Sequence, residues 1–513
     1  MNGVKKFFLN ALILSCASII MRAISVSFNI FVSNKIGAEA MGLITLTTSV
    51  YGLAITLATS GINLAVVRLV SASISKNDGN TPKIMRSAFI YASVFSLSAG
   101  FILFISAKNI GAFVLDDIRT ASSLKLLSFT LFPIAISSVL NGYFYAVRRV
   151  YKNVIVQFCE NGVKIGFTLA FLFILAPWGM ELACISVIAA GAIAEVASLI
   201  INVILFFFDR RIHSRNESKS LEKSGFFDKI FFAAFPLGVS AYVRAALSTV
   251  EHLAIPWGLK KSGASASSAL SNYGILHGMV FPVLLFPSCV LNSFSSLLVP
   301  ELSASLAQKN TARISHIVSK VFSFSLLFSI AVSGIFISFS YEIGYFLYGS
   351  YEAGEFIKLL SSLIPLMYLD GAVDAMLKGL GEQLYTMRVN IADSLISVVL
   401  IVALLPSFGI KGYIGVIFIT ELLNTSLSIV KLLDITKIKT PVLKWVFKPL
   451  LNIIISTFIT KAIFIFTPIS KLSTILEISV TAIIYLLLSR LFGAISSDDI
   501  EWGKRIISKE KPS

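Results

Sequence analysis

The sequence is short of the residues that soluble proteins place on their surfaces. Only 14% of its 513 residues are charged, against about 25% in a typical soluble domain. In contrast, 56% are hydrophobic and the mean hydropathy is +0.86. This composition excludes a water-soluble globular domain, a disordered chain and a coiled coil. It predicts an all-α polytopic membrane protein, because a helix satisfies its own backbone hydrogen bonds inside lipid.

Catalytic and metal-binding motifs are also missing. The four cysteines and four histidines are dispersed, with no CxxC pair, which predicts neither a disulfide framework nor a zinc site. The chain has no Walker A, GxSxG, HExxH or DxD motif. We therefore predict that the protein is not an enzyme and that it holds no cofactor and no metal other than a coupling ion.

Apolar runs long enough to cross a bilayer fill most of the chain. A transmembrane helix needs about 20 predominantly apolar residues. Polar segments separate the runs into about fourteen transmembrane helices, an even number that places both termini on one side. The predicted spans are 7–32, 42–66, 87–107, 124–146, 154–175, 183–208, 231–257, 272–299, 317–340, 358–379, 388–407, 412–433, 448–468 and 474–493.

The net charge of +16 is concentrated in alternate loops. Basic residues cluster at 148–152 (RRVYK), at 209–223 and at 437–448, which fall on one side of a fourteen-span chain. Cytoplasmic loops of membrane proteins are enriched in Lys and Arg. The pattern predicts that both termini are cytoplasmic and that the positive charge faces anionic lipid, with no nucleic-acid partner.

A faint internal duplication divides the chain. Pro133 and Pro365 are 232 positions apart, and Glu160 and Asp393 are 233 apart. Six spans per copy is an even number, so the copies would be parallel repeats with a substrate path between them. We predict two pseudo-symmetric six-helix lobes plus two C-terminal helices. The predicted segments are an N-lobe at 1–208, a cytoplasmic linker at 209–230, a C-lobe at 231–433, two helices within 448–493 and a cytoplasmic tail at 494–513.

Charged side chains inside the first spans are candidates for a site. Each costs about 2.5–3.5 kcal/mol at mid-bilayer unless it meets a partner or water. Arg22 has no acid three or four residues away, which favours a cavity arginine for an anionic head group; the alternative is an ion pair with another helix. Glu160 and Lys164 are spaced i,i+4, so they either neutralise each other or face the substrate.

The later spans add a second group of polar residues. Arg244 and Glu251 lie seven residues apart, on nearly the same helix face, so Arg244 fits the same cavity and Glu251 either binds a cation or pairs internally. Asp374 and Lys378 can pair, which leaves Asp370 as a candidate. An oxygen-rich set suits sodium or a proton, although such residues also join helices; it comprises Asn390, Asp393, Ser394, Thr420 and Glu421.

Several segments resemble the stage V sporulation protein B group. This group belongs to the polysaccharide-transporter branch of the multidrug/oligosaccharidyl-lipid/polysaccharide flippase superfamily. The resemblance covers essentially the whole chain in order, and it implies two six-helix lobes, two extra helices and no ATPase domain. The segments are SGINLAVVRLVSA (60–72), NGYFYAVRRVYKNVIVQFCENGVK (141–164), YGILHGMVFPVLLFPSCVLNSFSSLLVPELSAS (273–305), LKGLGEQLYTMRVNIADS (377–394) and FGIKGY (408–413).

The resemblance also implies roles for individual residues. Lipid II flippases of the superfamily line their cavity with arginines in helices one, two and eight, and Arg22 and Arg68 match the first two. Span eight has no arginine, and His277 is its only potentially basic residue. Those flippases can also carry a sodium site in the second lobe. Its nearest matches here are Glu251, Asn390, Asp393 or Ser394, and Thr420.

The sequence therefore predicts a flippase of the bacterial cytoplasmic membrane. By resemblance, its cargo is an undecaprenyl-linked oligosaccharide or peptidoglycan precursor, moved by alternating access and coupled to sodium or protons. We expect a monomer surrounded by membrane lipids, with substrate contacts from Arg22, Arg68, Arg244, Glu160 and Asp370. Two alternatives stay open: a cation-coupled multidrug exporter of the same fold, and a non-transporting scaffold that recruits cell-wall synthesis enzymes through its basic loops.

Overall fold

The computed structural model describes residues 2–59, 61–76, 78–213, 226–438, 440–468, 470–496, 498–499 and 501. Most of the predicted linker at 209–230 lies outside the described residues, and so does most of the predicted tail at 494–513. The side chains of 1–16 and 210–225 are also outside the description. Helices make up nearly all of the described chain, and no strand occurs in it.

Seventeen α-helices follow one another in the described chain. Short π-helical or 3₁₀ turns at Ile110–Val114, Ala176–Trp178, Gly274–Val280 and Leu443–Phe447 adjoin them. The helices are α1 (Asn2–Thr59), α2 (Ile62–Lys76), α3 (Thr81–Asn109), α4 (Thr120–Ala146), α5 (Tyr151–Leu175), α6 (Met180–His213), α7 (Phe226–Lys261), α8 (Ala266–Tyr273), α9 (Phe281–Leu284), α10 (Ser288–Ala307), α11 (Thr311–Ser338), α12 (Ser340–Tyr348), α13 (Tyr351–Ser361), α14 (Ile364–Gly379), α15 (Gln383–Thr436), α16 (Lys448–Ile463) and α17 (Lys471–Leu491).

Two glycines interrupt the two longest helices. Gly37 in α1 (φ 82°) and Gly409 in α15 (φ 57°) have non-helical backbone angles. At 1.5 Å per residue, the 58 residues of α1 would measure about 87 Å if straight, nearly three times the hydrocarbon core of about 30 Å. The chain therefore turns at each glycine, so that α15 contains predicted spans eleven and twelve. Helix α1 contains span one and residues 42–59 of span two, which is interrupted at Gly61 (φ 71°) and continues into α2.

The other predicted spans correspond to helices in order, with two exceptions in continuity. Ten helical segments of the described chain are long and apolar enough to cross a membrane, or eleven if α13 and α14 form one span bent by 56°. Predicted span eight is not one continuous helix: α8, the turn at Gly274–Val280, α9 and α10 share it, with a break before Pro287. Pro365 likewise lies at the start of α14, where predicted span ten bends.

The helices form two compact units, each with its own apolar core. The N-terminal unit comprises Met1–Gly278 and Val398–Ile410, and the C-terminal unit comprises Met279–Ser397 and Lys411–Ser513. In the N-terminal unit, Val66, Tyr91 and Phe144 join the core of α2, α3, α4 and α7. In the C-terminal unit, Val318 and Val373 join that of α11 and α14. These units are defined by contacts, whereas the predicted lobes are defined by duplication and stay a prediction.

Large apolar side chains cover the outside of the helices. Phe173, Phe458 and Leu491 are 87%, 76% and 77% exposed. A water-soluble protein rarely exposes apolar patches on this scale. Lipid is therefore the solvent of these faces, and the protein is an integral membrane protein.

Candidate substrate and ion sites

The three predicted cavity arginines lie in the N-terminal unit. Arg22 is on α1, Arg68 on α2 and Arg244 on α7, and α7 packs against both α1 and α2. All three residues are exposed. Within the described residues, none of the three forms a salt bridge or hydrogen bond. The ion pair with another helix, which is the alternative reading of Arg22, is therefore absent from the described chain.

Glu160 lies between α5 and α6, where the structure adds a second carboxylate. The Ser198 hydroxyl of α6 hydrogen-bonds the Glu160 carboxylate, and Lys164 is its electrostatic partner on α5. Glu195 of α6 interacts electrostatically with both Glu160 and Lys164. Sequence reasoning missed Glu195, although it is an isolated acid inside predicted span six and the rule that selected Glu160 applies to it as well.

Asp209, at the end of the membrane-spanning part of α6, is the most enclosed carboxylate bound to basic residues in the described chain. Its side chain is fully buried. Lys152 Nζ donates to Oδ1 at 2.6 Å, Arg149 also donates to Oδ1, and Tyr143 Oη donates to Oδ2 at 3.0 Å. Arg149 and Lys152 both belong to the RRVYK motif (148–152), so part of this basic segment is bound within the unit.

A second ion cluster of the N-terminal unit joins three chain segments. Arg119 Nε donates to Asp117 Oδ1 at 2.9 Å, and its Nη2 reaches Glu39 Oε1 at 3.3 Å. Ser267 Oγ donates to Glu39 Oε2 at 2.5 Å. Asp117 is outside the spans. Burial raises its pKa, but the hydrogen bonds from Arg119 outweigh burial and hold the pKa below its usual value. The same bonds raise the pKa of Arg119.

The acidic residues predicted in spans ten to twelve lie together in the C-terminal unit. Asn424 Nδ2 donates to Asp370 Oδ2 at 3.4 Å, and Asn390 Nδ2 donates to Asp374 Oδ2 at the same distance. Lys378 lies 3.4 Å from Asp374 Oδ2, which confirms their predicted pairing.

Asp393 and Glu421 extend this acidic group. Asp370 interacts electrostatically with Asp393, and Glu421 with both of those aspartates. Asp370 Oδ1 is buried and has no hydrogen-bond partner in the described chain. The acidic members of the group outnumber Lys378, its basic member, so the group holds more negative than positive charge.

The predicted cation ligands are divided between the two units. Asn390, Asp393, Ser394 and Thr420 belong to the C-terminal unit and Glu251 to the N-terminal unit. Thr420 donates its hydroxyl proton to its own helix, to Val416 O at 3.0 Å, so the oxygen keeps a lone pair for a cation. Within the residues that the structure covers, no group of three or more His, Cys, Asp or Glu side chains could hold a metal ion. A sodium site here would therefore need amide and hydroxyl oxygens.

Glu251 lies beside an aromatic group that the sequence did not reveal. Tyr273 is fully buried and its hydroxyl lies 2.9 Å from His252 Nδ1. The His277 ring stacks on Tyr273, with centroids 4.9 Å apart. Glu251 interacts electrostatically with Tyr273. His277, the only basic candidate of predicted span eight, is thus part of this group in the N-terminal unit.

These features define a class: a multi-span, all-helical membrane protein whose membrane-embedded helices carry exposed arginines in one unit and clustered carboxylates in both. Such residues mark substrate and ion pathways in transport proteins.

The comparisons with known proteins identify the family. The model of the polysaccharide biosynthesis protein family matches residues 7–306, more than half of the chain, and the protein belongs to this family. Stage V sporulation protein B of Bacillus subtilis is 26% identical over 509 residues, which cover 96% of this chain and 97% of that protein. The lipid II flippase MurJ of the same organism is 23% identical and covers 80% of this chain and 79% of its own length.

Solved structures support the fold. The lipid II flippase MurJ in an inward closed conformation has a TM-score of 0.71 at 14% identity and covers 94% of this chain and 98% of its own. An inward-facing multidrug transporter of the MATE family has a TM-score of 0.61, also at 14% identity, over 82% of this chain and 96% of its own. The predicted resemblance and fold class are thereby confirmed. The matched proteins that are named for an activity are flippases and transporters rather than enzymes.

Proposed function

We propose that this protein is a flippase that moves an undecaprenyl-linked oligosaccharide or peptidoglycan precursor across the bacterial cytoplasmic membrane by alternating access. Both termini lie on the cytoplasmic side. Arg22, Arg68 and Arg244 bind the anionic head group while the lipid chain stays in the hydrophobic phase. Glu160 and Asp370 remain candidates for contacts with the saccharide.

The observation that carries this proposal is the set of three arginines for which the described residues supply no carboxylate partner. A guanidinium at membrane depth is costly unless it meets water or an anion. Arginine binds phosphate through two parallel hydrogen bonds, which a lysine cannot reproduce with the same geometry. A pyrophosphate-linked cargo supplies such an anion, whereas a cationic drug does not.

The relatives support the class of cargo. Stage V sporulation protein B resembles this chain over nearly its whole length, and a second relative is named for flipping lipid II. This chain itself belongs to the polysaccharide biosynthesis protein family. A lipid-linked cell-wall or polysaccharide precursor is the substrate class that fits these names together.

The first experiment exchanges Arg22 in a complementation assay. In cells depleted of the protein, the undecaprenyl-linked intermediate that accumulates in the cytoplasmic leaflet identifies the cargo. We expect Arg22→Ala to leave the accumulation in place and Arg22→Lys to relieve it partly, because lysine keeps the charge but not the two parallel bonds. Arg313→Ala is the control, because Arg313 forms an exposed ion pair with Glu301 at 2.9 Å, worth about 0–1 kcal/mol. Normal transport by both Arg22 variants contradicts the head-group role.

Coupling to a cation is part of the proposal. Asn390, Asp393, Ser394 and Thr420, all of the C-terminal unit, supply oxygens of the kind that bind sodium; Glu251 stays a candidate from the sequence alone. We expect Asp393→Asn to remove the sodium dependence of transport in proteoliposomes while cargo binding persists. Equal transport by wild type and variant at every sodium concentration contradicts this site.

A second function has one observation in its favour, the fold similarity to a multidrug transporter. A multidrug exporter would export cationic dyes in response to a sodium or proton gradient. Dye efflux from cells that express the protein, with no accumulation of a lipid-linked intermediate on depletion, would support this alternative and contradict the flippase.

A further inference from the structure

Two rows of polar side chains face each other where α5 and α6 pack together. On α5, Glu160, Lys164 and Thr168 recur at every fourth residue, the spacing of one helix face. On α6, Glu195, Ser198 and Asn202 are spaced by three and four residues and also share one face. The bond between Ser198 and Glu160, together with the electrostatic contact of Glu195 with Lys164, shows that the two rows meet.

The charges in these rows do not balance. Glu160 and Glu195 are both carboxylates, they repel each other, and Lys164 is the cation that acts on both. One ammonium can neutralise only one carboxylate, so the second carries an uncompensated negative charge at membrane depth. A membrane interior disfavours that charge strongly, and uptake of one proton removes it.

Buried polar atoms beside the two glutamates indicate that this seam is hydrated. Thr168 and Asn202 are both completely buried. Neither the Thr168 hydroxyl nor either amide atom of Asn202 has a hydrogen-bond partner in the described chain. An unsatisfied buried polar group costs about 1–3 kcal/mol, and ordered water is the usual partner of such groups. These two residues flank the glutamates on the same two faces, so water there can carry protons to the pair.

The seam continues from Asn202 towards one end of the unit. Lys152 donates to Leu205 O at 3.2 Å and to the buried Asp209. Polar groups therefore extend along α5 and α6 from this end to the glutamates. Glu160 and Glu195 are themselves only partly buried, and Lys164 is exposed, so the pair is also open on one side.

Other titratable groups of the packed helices have different partners or lie apart. From α1, Tyr51 interacts electrostatically with Glu195, but its hydroxyl is bonded to Thr130. From α4, Tyr143 donates to Asp209. Helices α1 and α4 also carry basic residues whose side chains are described. These are exposed: Arg22 and Lys35 of α1, and Lys125 of α4.

We propose that Glu160 and Glu195 share a single proton, and that this proton is bound and released through the polar seam between α5 and α6 during transport. Lys164 fixes the number of protons at one, because it compensates the other carboxylate. A proton fits better than sodium, since a proton needs a single carboxylate oxygen, whereas a sodium ion needs several oxygen ligands beside a cation, Lys164, that already acts on both glutamates. The proton site stands without the proposed cargo, whereas its part in the transport cycle rests on the proposed function.

The proton site can be tested on the purified full-length protein in lipid nanodiscs without any cargo. Infrared difference spectra recorded while the pH is lowered report the carboxylic acid form of glutamate. We expect the wild type to show one more titrating carboxyl than Glu195→Gln or Glu160→Gln, because each variant leaves one carboxylate beside one ammonium, while the acidic group of the C-terminal unit contributes equally to all three spectra. Glu181→Gln is the matched control: Glu181 is exposed in the first turn of α6, and its exchange should leave the signal unchanged.

A variant that should increase the carboxyl signal, rather than remove it, keeps the test decisive if either glutamine variant fails to fold. Lys164→Met removes the compensating charge, so we expect a larger protonated-carboxyl signal at neutral pH than in the wild type. A wild-type titration identical to that of both glutamine variants overturns the site. A wild-type proton signal with transport that ignores the proton gradient overturns its role in the cycle and leaves the flippase proposal intact.

Discussion

Asp209 of the N-terminal unit and Asp499 of the C-terminal unit are built alike but are buried to different extents. Each carboxylate lies beside two basic side chains. Asp209 binds Lys152 and Arg149 and is fully buried. Asp499 binds Lys320, lies 3.8 Å from Lys444, and keeps 22% of its side chain exposed.

The difference indicates that burial, rather than the number of ion pairs, decides how much such a cluster contributes to the free energy of unfolding. Removing one partner of a buried pair leaves an uncompensated charge and costs about 3–5 kcal/mol. An exposed pair contributes about 0–1 kcal/mol, because water and salt screen it. The two carboxylates therefore let the same chemistry be measured at two depths in one protein.

The largest expected effect comes from Asp209→Asn. The amide keeps an acceptor for Tyr143 but leaves Lys152, whose side chain is only 8% exposed, without its anion. We expect the free energy of unfolding to fall by about 3–5 kcal/mol, measured by denaturation of the purified protein in detergent. A loss no larger than that of the Asp499 variant would break the comparison.

Adding Lys152→Met to Asp209→Asn tests whether the loss of stability comes from the unpaired Lys152 ammonium. The double variant removes the unpaired buried ammonium and replaces it with an apolar side chain, which buried sites tolerate well. We expect it to recover about 1–2 kcal/mol relative to the single variant. If instead the two losses add, Lys152 contributes to stability through contacts that do not involve Asp209.

Asp499→Asn should have a smaller effect that depends on pH. Burial raises the pKa of Asp499, but hydrogen bonds from Lys320 and Ser496 outweigh it and bring the pKa from 3.8 to about 2. A lowered pKa in the folded state adds stability above the unfolded value, and this stability is lost as the pH falls from about 4 to about 2. The wild type should therefore lose melting temperature over this range more steeply than the variant; identical acid profiles contradict the assignment.

The smallest effect is expected for Asp434→Asn. Asp434 pairs with Lys437 at 2.6 Å, with side chains 69% and 76% exposed. Because both side chains are largely exposed, the pair contributes little to stability. We expect no measurable change in melting temperature at neutral pH, which makes this variant the baseline for the other two.

Composition and apolar runs predict the helical membrane fold because lipid leaves few other choices for the backbone. Pro282 and Pro287 indicate that predicted span eight is interrupted, but proline is also common in continuous membrane helices, so the full break could not be predicted from them. Gly37 and Gly409 were not singled out either, because a positive φ leaves no mark on hydropathy.

Site contacts within one helix could be predicted from the sequence, whereas contacts between distant helices could not. The Asp374–Lys378 pair was predictable because its partners are four residues apart on one helix. The contacts of Asp209 with Lys152 and of Asp499 with Lys320 join residues 57 and 179 positions apart, and no local rule connects them. Glu195 could have been selected from the sequence as an acid inside a span, but its role as half of a carboxylate pair depends on Glu160 of the neighbouring helix.

The turn at Gly37 also affects how the chain enters the bilayer. Helix α1 resumes directly after this residue, so no hydrophilic loop separates the first two spans. A first helix that crossed alone would leave the start of the second stranded at the membrane surface. We therefore expect both segments to insert together as a helical hairpin, which brings Arg22 into the membrane with the second span.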